Sequence, residues 1–358
     1  MINLYGQEIT KLEKLLMDRG QKKYRATQLF TWIYEKKART FDEMSDVSKS
    51  FREELNRDFC LTLPKIFVKQ ISKDGTTKLL LELEDGSKVE TVLMPYNYGN
   101  AICVTSQVGC NMACAFCASG LLKKKRNLEV HEMVGQVLVM NKLLEEAGKH
   151  VTHIVVMGTG EPFDNYENVM DFIRIMNHPK GLAIGARHIS VSTCGIVPGI
   201  MKYAHEGLQT NLAISLHAPN DEIRNKLMPI SKAYPLDKLM EAVKYYEKTA
   251  GRRVTFEYIM LDGVNDSLEC AKELVALVKG TMSYINLIPY NPVDEHSFKR
   301  SSDKNVHKFF SYLMQHGVNT TVRKEFGNDI DAACGQLRAK EILKKWLKED
   351  LVVKQISA

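Results

Sequence analysis

An α/β architecture, a partial barrel of six strand–helix units with a small helical N-terminal unit and a β-ribbon extension, is predicted by three observations. Six apolar stretches read as strands, and each is followed by a helical stretch. The run from about 66 to 94 alternates with period two, and the segment before it shows helical periodicity alone.

From the N-terminus, "EITKLEKLLMDRG" has helical spacing and a Gly stop, and "YRATQLFTWIYEKK" places Leu29, Trp32 and Ile33 on one stripe. No strand pattern interrupts these helices. "TKLLLELEDGSKVETVLM" then alternates, with Asp85-Gly86 as a hairpin turn, and reads as a β-ribbon between two larger units. After the linker "PYNYGN" come the strand candidates "AICVTS", "THIVVMG", "HISVSTC", "NLAISLHA", "RVTFEYIML" and "YINLIPY". Their helices are expected at 128–147, 166–177, 196–206, 236–249, 267–279 and 303–316, with a shorter one near 221–227. Strands apolar on both faces and joined by helices call for a parallel sheet covered by those helices. The residues for two further units are missing, so the barrel is partial rather than closed. A last strand, "NTTVRKEF", and a basic helix, "LRAKEILKKWLKED", end the chain. The expected division is 1–65 helical, 66–95 ribbon, 96–330 barrel, and 331–358 a C-terminal loop and helix.

At 358 residues and 44% hydrophobic, the chain can bury a large core, which excludes disorder as the default. No apolar run approaches the roughly 18 to 20 residues that span a bilayer, and the N-terminus mixes charges among its apolar residues. The expectation is a soluble, unexported protein with no membrane partner. Eight cysteines are scattered unevenly over a long chain, a usage that favours metal or redox chemistry over a disulfide framework and points to a reducing cytoplasm. The formal charge of +6 favours a polyanionic partner only modestly.

In parallel α/β folds, chemistry gathers where strands end. "QVGCNMACAFC" follows the first strand, "GTGEP" the second, "VSTCG" ends the third, "SLHAPN" the fourth and "PYNP" the sixth, so five loops converge on one mouth. Cys110, Cys114 and Cys117 lie close enough for one loop to wrap a small inorganic group, and soft thiolates select zinc or iron–sulfur. A closed all-cysteine site needs a fourth thiolate, and no further cysteine follows within twenty residues. The open position therefore reads as functional, with three buried metal-free cysteines as the plain alternative. Phe116 would shield the group.

"CNMACAFC" resembles the signature of the radical S-adenosylmethionine enzymes, in which three cysteines hold a [4Fe–4S] cluster and the remaining iron binds S-adenosylmethionine. "GTGEP" resembles that family's Gly-Glu-Pro segment, whose Gly160 and Glu161 would receive the cofactor's amino group. The likeness goes further. "TSQVGC", "MGTGEP", "VSTCGIVP", "AISLHAPND", "LMPI", "YIMLDGVND", "NLIPYNP" and "FGNDIDAACGQL" together resemble the adenine-C2 RNA methyltransferases that act on 23S ribosomal RNA and transfer RNA, over about residues 20 to 340. That resemblance implies a radical-SAM partial barrel and contacts to S-adenosylmethionine from Ser192, Ser215, Leu216, His217 and Asn291. It also implies an external electron donor such as flavodoxin, and a monomer.

Carbon 2 of adenine is electron-poor and carries an unactivated C–H bond, so direct polar methyl transfer finds no nucleophile there. A thiolate can take the methyl first. The reaction then needs a second thiol to release the product and a base for the ring proton. Cys60, Cys103, Cys194, Cys270 and Cys334 are available for the thiol roles. By resemblance, Cys334 in "DAACGQL" is the methyl-carrying cysteine, Cys103 in "AICVTSQ" the resolving one that forms a transient disulfide with it, and Glu90 in "KVETVLM" the proton acceptor. Two S-adenosylmethionine molecules would be used per methyl. Cys60, Cys194 and Cys270 read as structural.

The basic run Lys123 to Arg126 could hold phosphates, and the N-terminal unit with Lys22, Lys23 and Arg25 resembles the family's accessory RNA-binding domain. Two other readings compete. Related enzymes methylate carbon 8 of the same ribosomal adenosine, though "GEP" followed by "FDN" looks closer to the C2 group. A non-catalytic iron–sulfur RNA-binding protein would need the cluster but neither Cys103 nor Cys334.

Overall fold

The computed structural model describes residues 1–337 of the chain. The basic helix expected from Leu337 onward lies outside the described residues, apart from Leu337 itself. No helix among the described residues is long and apolar enough to cross a membrane.

The N-terminal unit contains β1 (Ile2–Asn3), α1 (Ile9–Met17), α2 (Tyr24–Phe30), α3 (Lys49–Asp58) and β2 (Phe59–Cys60). β1 pairs in parallel with β2, a two-residue bridge too short to leave a periodic trace in the sequence. Leu29 and Ile33 are buried as the stripe predicts, whereas Trp32 is only half-buried and its indole N–H donates to Asp46 Oδ1 at 2.6 Å. The helical unit shares one apolar core with the barrel, since Leu4, Leu12 and Phe30 belong to the same cluster as Met133 and Phe172.

The ribbon has three strands: β3 (Lys65–Ile71), β4 (Thr77–Glu82) and β5 (Lys88–Tyr96). Its two turns carry Gly75 (φ +85°) and Gly86 (φ +77°), backbone states that glycine adopts without strain. β5 continues by antiparallel pairing into β6 (Gly99–Cys103), so the ribbon is the edge of the barrel's own sheet rather than a spacer between units. Next come the short strands β7 (Gln107–Val108) and β8 (Arg126–Asn127), then α4 (Val130–Glu145). The remaining elements alternate: β9 (His153–Val156), α5 (Tyr166–Asn177), β10 (Ile189–Thr193), α6 (Val197–Tyr203), β11 (Asn211–Ser215), α7 (Asp221–Leu227) and α8 (Leu236–Ala250). They end with β12 (Val254–Met260), α9 (Leu268–Val278), β13 (Tyr284–Pro289), α10 (Asp303–Gln315) and β14 (Thr320–Val322).

One ten-stranded sheet results, in the order β14-β13-β12-β11-β10-β9-β6-β5-β4-β3, parallel from β6 to β14. Laid flat, β9 to β14 would cover about 24 Å at the usual strand spacing. Yet Met157, Ser192, Ser215, Glu257, Ile288 and Arg323, one from each strand or its end, border a single cavity, so the sheet is strongly curved.

The two faces of these strands differ. Ile154, Val156, Val191, Leu212, Ile214, Val254, Phe256, Ile285 and Leu287 are at most 1% exposed beneath the helices. The alternating residues His153, Ser190, Ser192, Asn211, Ser215, Thr255 and Asn286 face the concave side and are half-buried. The expectation of strands apolar on both faces therefore holds only in part for the inner face, where Ala213, Ile259 and Ile288 occupy the same alternating positions as these polar residues. Removing a side chain from the outer face should leave a cavity, whereas an inner one should not. Leu212→Ala should cost about 2–5 kcal/mol of stability and Ser190→Ala less than about 1 kcal/mol, both read by urea unfolding.

Candidate active site

The pairing of β7 with β8 clasps the base of the loop that carries Cys110, Cys114 and Cys117. Gly109 sits at φ +76°, and a Cβ there would lie 2.3 Å from the Lys123 carbonyl oxygen, so the loop closes only around glycine. Inside the clasp, the Cys110 N–H donates to the Leu122 carbonyl (3.0 Å) and the Lys125 N–H to the Val108 carbonyl (2.7 Å). Three residues of the basic run Lys123 to Arg126 are engaged within the chain, while Lys123 is exposed. Lys124 pairs with Asp164 at 2.7 Å, Lys125 donates to Ser87 Oγ at 3.1 Å, and Arg126 pairs with Asp85 (2.9 Å) and bidentately with Glu132 (2.7 Å). These contacts staple the cysteine loop to the β4–β5 turn.

All three cysteines border one cleft of about 880 Å³. Burial pushes the Cys110 thiol up to about 11 and raises those of Cys114 and Cys117 as well. Thiols held this way give up their protons to a metal centre rather than to water. The Met112 N–H points at the Cys110 sulfur, and the Ser119 and Gly120 N–H groups point at Cys117, as donors do around thiolate ligands. Among the described residues, no three His, Cys, Asp or Glu side chains close on the distance that holds a single metal ion. The three sulfurs instead surround the cleft, and soft donors so spaced fit an iron–sulfur cluster. Phe116 is buried and meets the His217 ring edge-on at 4.8 Å, closing the apolar side.

Gly160, Glu161, Ser192, Ser215 and His217 border the same cleft. Gly160 has φ +115°, and a Cβ there would press on the Gln107 side chain at 2.7 Å. Glu161 is buried, and burial raises its pKa. Its two carboxylate oxygens accept the N–H groups of Phe163 (3.0 Å) and Cys194 (2.7 Å), so it ties the β9 loop to the end of β10. His217, at the non-glycine φ of +56°, accepts the Ile259 N–H at Nδ1 (3.0 Å). Burial, with Arg224 nearby, lowers its pKa to about 3, so the ring is neutral. Leu216 stands behind the wall. It is fully buried and contributes only its peptide, which bonds to Glu257 and Arg224. Asn291 borders a second, adjoining cavity.

That second cavity contains Cys103 and is shared by Cys117, Met157, Arg323 and Cys334, all of which also border the first. The structure thus places Cys103 and Cys334 together although 231 positions separate them in the sequence. Burial, and then the neighbouring Cys334, push the Cys103 thiol up to about 12, while Arg323 and the Met157 N–H oppose this. The segment around Cys334 is strapped on both sides. Beyond it, Gly335 and Leu337 offer carbonyls to the Ala118 N–H (2.8 Å) and the Ser119 hydroxyl (2.9 Å) of the cysteine loop. Before it, the Gly327 N–H donates to Asp74 Oδ2 (3.0 Å) in the ribbon turn. Glu90 is buried outside both cavities, paired with Lys78 Nζ at 3.4 Å, and shares the face of β5 that carries Val92, which lies opposite Cys103. Among the other cysteines, Cys194 and Cys270 are buried and Cys60 lies in the β1–β2 bridge.

Two cations escape sequence reasoning. Arg323 reaches both cavities, 3.8 Å from Glu257, and its guanidinium is held charged first by Cys334. Its only signal was its place just past a strand end. Arg224 is fully buried and donates to the carbonyls of Cys194 (2.8 Å), Leu216 (3.2 Å) and Tyr234 (3.3 Å). It gathers the ends of β10 and β11, and nothing in "NDEIRNKL" marks it as other than a surface arginine.

The chain matches the Radical SAM superfamily over residues 104–275 and the ribosomal RNA large subunit methyltransferase N-terminal domain over residues 2–61. It is 56% identical over 340 residues to a probable dual-specificity RNA methyltransferase RlmN of Spiroplasma citri, covering 95% of this chain and 98% of that one. A protein of the same description from Geobacillus kaustophilus is 54% identical over 339 residues, covering 95% and 93%. The crystal structure of a radical SAM methyltransferase from Sphaerobacter thermophilus superposes with a TM-score of 0.90 at 44% identity, covering 95% of this chain and all of that one.

The bonds made by Glu161 generate an expectation for the protein without its cofactors. Glu161→Gln turns an amide donor toward one of the two N–H groups and should lower stability by about 1–3 kcal/mol, measured by chemical denaturation of the apoprotein.

Proposed function

Because this chain belongs to the RlmN family of radical SAM RNA methyltransferases, we propose that it methylates carbon 2 of an adenosine in 23S ribosomal RNA and in transfer RNA, using Cys334 as the methyl carrier. One observation carries the reading: Cys334 borders both the cleft of the three-cysteine loop and the cavity of Cys103. A single sulfur there can meet a methyl donor on one side and a second thiol on the other.

Cys110, Cys114 and Cys117 would hold the [4Fe–4S] cluster, with S-adenosylmethionine among Gly160, Glu161, Ser192, Ser215, Leu216, His217 and Asn291. When bound and reduced by an external donor such as flavodoxin, this pair supplies a 5′-deoxyadenosyl radical. The protein's residues do the rest. Cys334, with the Arg323 cation beside it, takes the methyl of a first S-adenosylmethionine by displacement at the sulfonium. Its S-methyl group then yields one hydrogen atom, the carbon bonds to C2 of the adenine, and the adduct radical gives up one electron, for which an iron–sulfur centre would be the acceptor. Glu90 accepts the ring proton. Cys103 attacks the Cys334 sulfur as a disulfide forms, the carbon–sulfur bond breaks toward carbon, and that carbon takes up one proton to leave as the methyl on the RNA. Two S-adenosylmethionine molecules are consumed, and the disulfide is reduced before the next turnover. We place the enzyme in the cytoplasm as a monomer.

The test is anaerobic reconstitution with ribosomal RNA, transfer RNA and methyl-labelled S-adenosylmethionine, followed by nucleoside analysis. 2-Methyladenosine is expected; 8-methyladenosine, or no methylated adenosine with an intact cluster, would refute the assignment. Cys334→Ala should bring RNA methylation below about a thousandth of wild type. Cys103→Ala should still methylate Cys334 and should accumulate a covalent protein–RNA adduct, seen as a shifted band on a denaturing gel.

A further inference from the structure

Lys78 stands in the middle of β4 with only 7% of its surface exposed. An ammonium so buried is expensive unless it is paired and hydrogen-bonded. Its partners are Glu90 Oε1 at 3.4 Å and the carbonyl of Asp331 at 3.1 Å. Asp331 lies three residues before Cys334 and sits in the left-handed region at φ +50°.

Register explains how one side chain reaches both. Lys78 pairs across from Val92, Leu80 from Glu90, and Val92 from Cys103. Alternation therefore puts Lys78, Glu90, Val92 and Cys103 on one face of the sheet. The ribbon turn just before Lys78 also grips the loop that leads to Cys334. Asp74 accepts the Gly327 N–H at 3.0 Å, and Asp329 accepts the Ser72 hydroxyl and the Lys73 N–H at 3.3 Å. Lys78 joins that grip to Glu90.

We propose that Lys78 is a positioning residue for the proton-abstraction step: its ammonium fixes the Glu90 carboxylate and the segment carrying Cys334 relative to each other. This rests on the function proposed above. In the step concerned, the C2–H bond breaks, its electron pair stays with the ring, and the proton passes to Glu90. The carboxylate must be ionised and aimed while the ring is tethered to Cys334, and one cation bonded to both sides meets that need. Removing one partner of a buried ion pair destabilises a fold whatever the pair's role, so a merely structural lysine would be told apart by its readout: its loss would lower Cys334 methylation and RNA methylation together.

The test compares wild type with Lys78→Met and Lys78→Arg in three assays. Methylation of Cys334 without RNA, read by peptide mass spectrometry, should stay within about twofold, since no ring proton is involved. Methylated RNA should form about 100-fold more slowly in Lys78→Met, the range of a lost acid–base contribution, while the covalent protein–RNA adduct accumulates. Release of the product from that adduct should slow further with adenine deuterated at C2, and Lys78→Arg should recover most of the rate. Should Lys78→Met fail to fold, Lys78→Gln, which keeps a donor for the Asp331 carbonyl but no charge, is expected to give the same pattern. Normal RNA methylation in the Met or Gln variant would overturn the proposal. So would loss of Cys334 methylation in parallel with product, which would mean that Lys78 only shapes the loop. If wild type itself never methylates Cys334, the underlying function fails and this proposal falls with it.

Discussion

Seven strands running the same way through one curved sheet bring their carboxyl ends to a common rim, and every part of the site depends on that convergence. Curvature must be held against the electrostatic cost of crowding carbonyl ends and thiols together. Arg224 meets part of that cost by donating to the carbonyls of Cys194, just past β10, and Leu216, just past β11, from a fully buried position. Glu161 does the converse, accepting the N–H groups of Phe163 and Cys194. Between them, these two side chains join the loops that follow β9, β10 and β11. Loops held that firmly can present small groups such as Ser192 and Ser215 to a ligand without collapsing into the lumen.

Much of this was legible in the sequence, and the reasons differ by element. Strand–helix alternation fixed the order of the barrel because outward residues such as Leu212 and Phe256 must be apolar to pack beneath helices. The cysteine loop was legible because three soft ligands at short spacing have few other uses. The β1–β2 bridge was not, since two residues cannot show a period. The partly polar inner face was missed for a related reason: in a run as short as "NLAISLHA", Asn211 and Ser215 flank Ala213 on the inner face, too few positions for a period to stand out. The internal partners of the basic run were not legible, because a sequence shows charges but not what they pair with. Here Asp85 and Glu132 take Arg126, and Asp164 takes Lys124.

The distribution of buried cations sharpens that point. Lys78 and Arg323 lie beside groups whose chemistry the proposed reaction uses, Arg224 lies near His217 in the cleft wall, and none of the three was marked by a motif. A motif marks the groups that bond to ligand or substrate. The charges that set the electrostatic surroundings of those groups come from wherever the fold delivers them, here from a ribbon strand, a short helix and the last strand end. Their identity is fixed by three-dimensional neighbours such as Glu90, Cys194 and Cys334, which no local pattern reveals.

The strap that carries Cys334 is fastened to two much earlier parts of the chain, the ribbon turn at Asp74 and the cysteine loop at Ala118 and Ser119. This gives the site an order of assembly. As a chain emerges from the ribosome, its N-terminal elements can fold first. The ribbon, the cysteine loop and most of the barrel are thus made before the segment that contains Cys334. A nascent chain can hold the three-cysteine cradle yet lacks the thiol proposed to carry the methyl. The segment with Cys334 follows all of these along the chain, so a chain stopped before it has no route to the proposed covalent link with RNA.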